Sequence, residues 1–417
     1  MAAADTQPIA EPAPPAPAAS PFLDPAFQDD PYPFIHRLRR EDPVHWTPFG
    51  FWFVTRHDDV KRLFHDPENA TPDRRAWEHF VPRSPGTFMR WVEDHGFFSA
   101  PPDEHARLRK LFSAALTPRA VKRYEAQVRE VVEHFAAPLR GKSGRVDLMA
   151  SFCNPIPNAV ITRITGVPPG DDEVRFRQIA QETIRGLFAF SDEDRRAGEA
   201  AFVELTDWVR AMVKQRRATL GEDMVSDLVR AQDRGDRLSD DEIAMTIAAL
   251  IGAGSETTAV GGMVSAIALL EHPDQMERLR ADRSLVPNAV TEILRFGFGH
   301  AGGLPRYALR DFTLRGKQIK KGQMIMLSFS GAGRDPAMYE DPDRFDVARE
   351  VKDLLTFGHG PHYCLGANLA RQEMGCMLEA LLDILTPGSR FLEDQMEFTR
   401  FAFFRRPVTL PVEIAPR

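Results

Sequence analysis

Apolar positions along this chain follow three successive regimes. Near the start, Val44-His45-Trp46-Thr47 and Phe51-Trp52-Phe53-Val54-Thr55 are short aromatic and β-branched runs on either side of Pro48-Phe49-Gly50, which predicts a hairpin. From Pro118 to Arg295 most of the spacing is helical, broken by Pro/Gly clusters such as Val167-Pro168-Pro169-Gly170, and no internal repeat is visible. Between Leu309 and Phe329 strand-like runs return around the turn signal Lys321-Gly322, and an irregular Pro/Asp/Arg-rich stretch from Gly331 to Lys352 follows. The pattern predicts a mostly α fold with a minor β region.

One segment departs from amphipathic spacing. Ser239-Asp240-Asp241-Glu242 has the form of a capping box, and the apolar run that follows, Ile243 to Leu270, ends at His272-Pro273. It predicts a single helix of roughly 45 Å. Its apolar residues lie on every side, so it should run through the protein interior. A membrane span is the competing reading. Ser255, Glu256, Thr257 and Thr258 at mid-segment, together with four glycines, count against it.

Composition narrows the function classes. The 417 residues carry 53 basic and 60 acidic side chains, a net charge of −7, which disfavours a nucleic-acid binder built on global basic charge. Cys153, Cys364 and Cys376 are the only cysteines, too few and too scattered for a disulfide framework or a four-cysteine zinc site. A reducing, cytoplasmic setting fits. Residues 1–20 are Ala/Pro-rich, with neither a basic leader nor an apolar core; they are expected to form a disordered tail, with no membrane anchor, ahead of a single domain over 21–417.

Chemistry concentrates in Phe357-Gly358-His359-Gly360-Pro361-His362-Tyr363-Cys364-Leu365-Gly366. Three glycines and a proline make a tight loop that presents one cysteine, and Ala370, Met374, Met377, Leu378, Leu381, Leu382 and Leu385 then recur at helical spacing. Cys364 therefore sits just before a helix N-terminus, where free N–H groups and the dipole favour a thiolate. Such a thiolate is a ligand or a nucleophile. A nucleophile needs a base and an oxyanion site, whereas a soft anion held by backbone donors suits iron. A copper or zinc site of His359, His362 and Cys364 is a further possibility, crowded into one turn.

On these residues the chain resembles the cytochromes P-450, the haem-thiolate monooxygenases, and in particular their bacterial soluble members. The loop matches the family's FxxGxxxCxG pattern, and three further motifs stand in the family's order. Ala253-Gly254-Ser255-Glu256-Thr257-Thr258 in the long helix looks like the distal acid-alcohol motif. Its small residues would let a flat cofactor approach, and its carboxylate, if buried, is costly unless it relays protons or is hydrogen-bonded. The run Gly252-Ala253-Gly254 lacks the third glycine and the strand-to-helix setting of a dinucleotide fingerprint. Glu292-Ile293-Leu294-Arg295 is an ExxR pair, and His105-Ala106-Arg107-Leu108-Arg109 sets a histidine and an arginine one helical turn apart.

The resemblance implies a helical prism with a long central helix and small sheets, holding haem b with Cys364 as the thiolate ligand of the iron. It implies that Phe357, Gly358 and Gly366 shape the cofactor loop, that Ala253 and Gly254 face the haem, and that His105, Arg109, Arg306 and His362 bind its propionates. Glu256 and Thr257 would pass protons to oxygen. Glu292, Arg295 and the Arg344 of Pro342-Asp343-Arg344-Phe345 would form a buried clamp behind the loop. The implied reaction inserts one atom of O2 into a C–H bond of an apolar small molecule, such as a terpenoid, steroid, fatty acid or polyketide. Electrons would come from a ferredoxin or flavodoxin-type donor, with Arg107, Lys110 and Arg371 as candidate cations for it. A peroxide-driven haem-thiolate enzyme and a haem sensor without turnover are the alternatives. Two departures from the family stand out: no proline in Phe296-Gly297-Phe298-Gly299-His300-Ala301-Gly302-Gly303-Leu304, and Gly333 where relatives often have asparagine before Arg-Asp-Pro, read as a tolerated loop change. Bulky hydrophobes at Phe80, Phe88, Met89, Trp91, Phe97, Phe188, Phe190, Phe401, Phe403 and Phe404 are candidate pocket walls.

Overall fold

The capping box forms as expected. The Ser239 hydroxyl accepts from the Glu242 N–H at 3.1 Å while the Glu242 carboxylate accepts from the Ser239 N–H at 2.6 Å, satisfying two helix-end donors. The helix it starts runs over Asp240–Glu271, about 48 Å at the usual rise. The computed structural model describes residues 22, 26–27, 30–82, 90, 96–97, 100–168, 170–187, 192–233, 235–297, 302–392, 396 and 408–416. The tail, the bulky hydrophobes Phe88, Met89, Trp91, Phe188, Phe190, Phe401, Phe403 and Phe404, and positions 298–301 of the glycine-rich segment lie outside them.

The helices that position the site are α1 (Pro102–Phe112), α2 (Glu125–Ala136), α3 (Pro155–Thr165), α4 (Asp192–Ala218), α5 (Asp240–Glu271), α6 (Val286–Phe296) and α7 (Ala367–Ile384). Although long and apolar enough to cross a bilayer, α5 is sheathed by protein: α3, α4, α6 and α7 all pack on it. Ile243, Ile247, Ile251, Ala259, Met263, Ala266 and Leu269 are buried in the main core, and burial of each isoleucine, leucine or methionine side chain contributes about 1.5–3 kcal/mol. Gly261 and Gly262 let α7 come close, since a Cβ at Gly262 would run into Met377 Cε and one at Gly261 would lie 2.8 Å from Met374 Sδ.

The expected hairpin is present, with Val44–Trp46 antiparallel to Trp52–Val54. It belongs to a five-stranded sheet in which Met324–Ser328 runs parallel to Trp52–Val54 and antiparallel to Gly303–Ala308, with Ala70–Thr71 at the far edge. The C-terminal β region therefore begins at Gly303, earlier than the sequence pattern indicated. Gly303 is required there, because a Cβ would collide with the Leu327 carbonyl. A second core lies between this sheet and the helix His57–Phe64. The arrangement is mostly helical with small sheets, as expected.

Candidate functional site

The cysteine loop is built by backbone geometry. Gly358 and Gly360 have φ of +74° and +73°, left-handed values that an L side chain rarely adopts, and a Cβ at Gly360 would also lie 2.9 Å from His65 Cγ. These turns bring the Cys364 N–H to the Phe357 carbonyl at 2.8 Å. The helix α7 begins three residues after the cysteine with Gly366 as N-cap. Phe357 is covered by the Arg371 guanidinium, 4.4 Å above its ring.

The helix terminus alone does not make a thiolate. Burial pushes the Cys364 thiol up, and the Gly366 N–H, Arg109 and Arg371 offset only part of that. Coordination to a metal ion would remove the proton outright. Among the described residues no group of three or more His, Cys, Asp and Glu side chains could hold a metal ion by itself, so the copper or zinc reading fails. His359 instead turns toward His65, with ring centroids 6.1 Å apart, and His362 toward His105 at 4.0 Å.

Four cationic or potentially cationic groups converge near the loop. His105 is buried on α1 with Arg109 one turn on, and the His105 ring meets both His362 and Phe97. Arg306 projects from Gly303–Ala308; its guanidinium lies 4.9 Å from the Phe64 ring centroid and its Nη1 donates to the Pro305 carbonyl. Among the described residues no carboxylate pairs with His105, Arg109 or Arg306, and His105 Nε2 and Arg109 Nη1 are buried without a hydrogen-bond partner. Burial lowers Arg306 to about 10; burial, then His105, Arg306 and Arg109, lower His362 to about 3. Buried donors this short of counter-charge are a receptor for anions, and the two carboxylates of a haem fit them.

The mid-portion of α5 supplies the other wall. Ala253 and Thr257, one turn apart, are exposed although most of the helix is buried, and beside Gly254 there is open space where a Cβ would stand. That is the cradle a flat cofactor needs. The Thr257 hydroxyl donates to the Ala253 carbonyl at 2.7 Å, while Ser255 makes the same bond to Ile251 on the buried side. Glu256 is half-buried, unlike Ser255 and Thr258 beside it, which are buried.

The clamp behind the loop needs a further correction. Glu292 and Arg295 are bidentate and fully buried, at 2.7 and 2.8 Å. The third member is Arg349, whose Nε donates to Glu292 at 3.2 Å, and not Arg344. Arg344 turns its side chain to solvent, 64% exposed and paired with Asp346, and lends the clamp only its backbone carbonyl. Gly333 belongs to the same assembly. Its carbonyl accepts from Arg295 Nη1 at 2.7 Å and a Cβ there would lie 2.5 Å from the Arg295 carbonyl, so this glycine is a fitted part and not an indifferent loop change.

Arg107 is likewise misplaced by sequence reasoning as a partner-facing cation, because Glu104, Asp236 and Glu242 enclose its guanidinium. Sequence reasoning passed over Glu373 altogether. It lies on the buried face of α7, its Oε1 has no hydrogen-bond partner, and burial raises its carboxyl to about 8. Its spacing from Ala370 and Met377 on the apolar stripe was the available signal. Between the ordinary glutamate value of 4.5 and about 8, the folded chain holds a proton that the unfolded chain has released, so stability falls as pH rises through that window. Glu373→Gln should flatten this slope and gain a few kcal/mol at the alkaline end, read by urea unfolding of the holoprotein across the window. An unchanged slope would show that Glu373 is already ionised in the fold.

The family profile described as cytochrome P450 matches residues 44–386. The Nocardicin C N-oxygenase of Nocardia uniformis subsp. tsuyamanensis is 36% identical over 94% of this chain and 97% of the relative. The epothilone C/D epoxidase of Sorangium cellulosum is 33% identical over 90% and 89%. The solved structure of cytochrome P450 CYP109Q5 from Chondromyces apiculatus superposes with a TM-score of 0.82 at 29% identity, covering 95% of this chain and 98% of that one.

Proposed function

This chain belongs to the cytochrome P450 family, and from there we propose the assignment of its residues and its substrate class. The protein is a haem-thiolate monooxygenase. We infer that it oxygenates a C–H bond of an apolar small molecule such as a terpenoid, steroid, fatty acid or polyketide, within one catalytic domain from residue 21 onward. The observation that carries the assignment is the convergence of one loop-held cysteine with His105, Arg109 and Arg306, which pair with no carboxylate among the described residues.

Haem, when bound, supplies the oxygen chemistry, with the Cys364 sulfur donating electron density that favours O–O cleavage. The chain's own work is to hold and to move protons. His105, Arg109, Arg306 and His362 take the two carboxylates. Phe357, Gly358 and Gly366 keep the sulfur at the end of α7, and Ala253 and Gly254 keep the facing wall thin. Thr257 has committed its proton to the Ala253 carbonyl, so its Oγ1 offers lone pairs to the pocket and accepts a hydrogen bond there. Glu256, half-buried next to it, is the carboxylate that refills the proton supply. A peroxide-driven enzyme or a carrier without turnover would leave this pair without a task.

Removal of the hydroxyl tests that role. Thr257→Ala should bind haem as the parent does while product per NAD(P)H falls about tenfold or more and hydrogen peroxide rises to match. Equal product from mutant and parent removes Thr257 from the mechanism. The substrate class is tested by titrating terpenoids, steroids, fatty acids and polyketide lactones against the ferric protein and reading the low- to high-spin shift. Polar, charged ligands outperforming all four classes would refute the apolar reading. The relatives act at nitrogen in one case and on an epoxide-forming bond in another, as their names state, so product analysis of the best ligand decides whether a C–H bond is the target. We take the donor to be a ferredoxin or flavodoxin-type protein and the compartment to be a reducing cytoplasm, which three unpaired cysteines support.

A further inference from the structure

Arg107 alternates in sequence with His105 and Arg109 but points the other way. Two residues along a helix is a rotation of about 200°, so the two anion-binding side chains share one face of α1 and Arg107 occupies the opposite one. There its guanidinium donates through Nε and Nη2 to the two oxygens of Glu104, at 2.8 and 2.7 Å, through Nη1 to Asp236 at 3.1 Å, and through Nη2 to Glu242. Glu242 is the capping-box residue of α5, and its other oxygen accepts from the Ser239 N–H. One carboxylate thus closes the cap of the long helix and holds the helix that carries His105 and Arg109. Asp236 adds the short antiparallel pair Gln232–Asp233 and Asp236–Arg237 to the same knot.

We propose that Arg107 is a positioning residue: by tying α1 to the first turn of α5 it holds His105 and Arg109 in register with the wall formed by Ala253, Gly254 and Thr257. The proposal rests on the haem reading given above. Partly exposed ion pairs add little to global stability. Four hydrogen bonds from one planar fork nevertheless fix an orientation, which is what a two-point grip on carboxylates requires. Three carboxylates surround this single cation, so its loss leaves them repelling one another and releases α1 from the first turn of α5.

The test compares holoproteins. Rates of haem transfer to excess apomyoglobin and ferric/ferrous midpoint potentials are measured for the parent, Arg107→Ala, Arg107→Lys, Glu242→Gln and Arg210→Ala. Arg210 is held by Asp207 and Asp241, the latter on the same first turn of α5, and serves as the control for losing an arginine there. Arg107→Ala should lose haem about tenfold faster than the parent, with a shifted potential. Arg107→Lys should fall in between, and Glu242→Gln, which keeps the cap but weakens the tie, should also fall in between. Arg210→Ala should match the parent. Haem loss and potential of Arg107→Ala equal to those of Arg210→Ala overturn the proposal. Should Arg107→Ala not fold, parent-like haem loss from both Arg107→Lys and Glu242→Gln overturns it equally. A parent chain that takes up no haem sinks the underlying reading instead, before any substitution is made.

Discussion

Cys364→Ser should yield a folded protein that still takes up haem but has lost the carbon monoxide spectrum of a thiolate-ligated iron, with turnover down by on the order of a hundredfold or more. The loop does not depend on the sulfur for its shape. Gly358 and Gly360 keep their left-handed turns, and the bond from the residue 364 N–H to the Phe357 carbonyl is a backbone bond. The carboxylate receptor of His105, Arg109, Arg306 and His362 is also untouched, so cofactor retention and cofactor chemistry should separate. A serine oxygen is a harder donor with a far higher pKa, and it does not push electron density onto iron as a thiolate does. The other cysteines offer no replacement: Cys153 and Cys376 are buried in the helical core, and burial drives both thiols upward. If Cys364→Ser kept the thiolate-type spectrum and parental turnover, another residue would have to be the ligand and the assignment would fall.

Legibility in the sequence tracked how local each cause was. The cysteine loop, the long capped helix and the first hairpin were readable because glycine placement, a capping box and alternating apolar residues act over a few residues. The grouping of His105 with His362 came from family resemblance; only the fold shows their rings 4.0 Å apart. What the sequence hid was decided by long-range partners. Arg344 and Arg349 flank Asp346 in one irregular stretch, and nothing local says which of them turns inward to Glu292. Arg107 looked like a surface cation because two of its three carboxylates, Asp236 and Glu242, lie over a hundred residues away. Glu373 was hidden for a different reason, since a lone acid on a stripe of methionines and leucines reads as helix surface until burial is known.

The clamp should be the most costly place in the protein to cut. Glu292 accepts from Arg295 twice, from Arg349 and from the Asp346 N–H, and both side chains of the central pair are wholly excluded from water. Removing one member of such a pair strands a charge where water cannot reach it, at about 3–5 kcal/mol. Against a total stability of about 5–15 kcal/mol, Glu292→Ala should leave little folded, haem-loaded protein, and Arg295→Ala the same. Arg295 also donates to the carbonyls of Gly333, Pro342 and Arg344, so its loss frees the first two and leaves the third to Arg349, in the stretch leading to the cysteine loop. The route onward is short: Thr356, next to Phe357, donates its hydroxyl to the Leu294 carbonyl beside Arg295 at 2.8 Å. Cutting the clamp should therefore cost haem as well as stability. Arg349→Ala should lie in the middle, about 1–3 kcal/mol, because its guanidinium is mostly buried but makes one bond to Glu292, its others going to the carbonyls of Glu340, Asp341 and Arg344. Arg344→Ala should fall within about 0.5 kcal/mol of the parent, since alanine keeps the only group that residue contributes, its carbonyl. Urea midpoints and haem content of the four variants check the order. Arg344→Ala costing as much as Arg349→Ala would restore Arg344 to the clamp and reject the geometry described here.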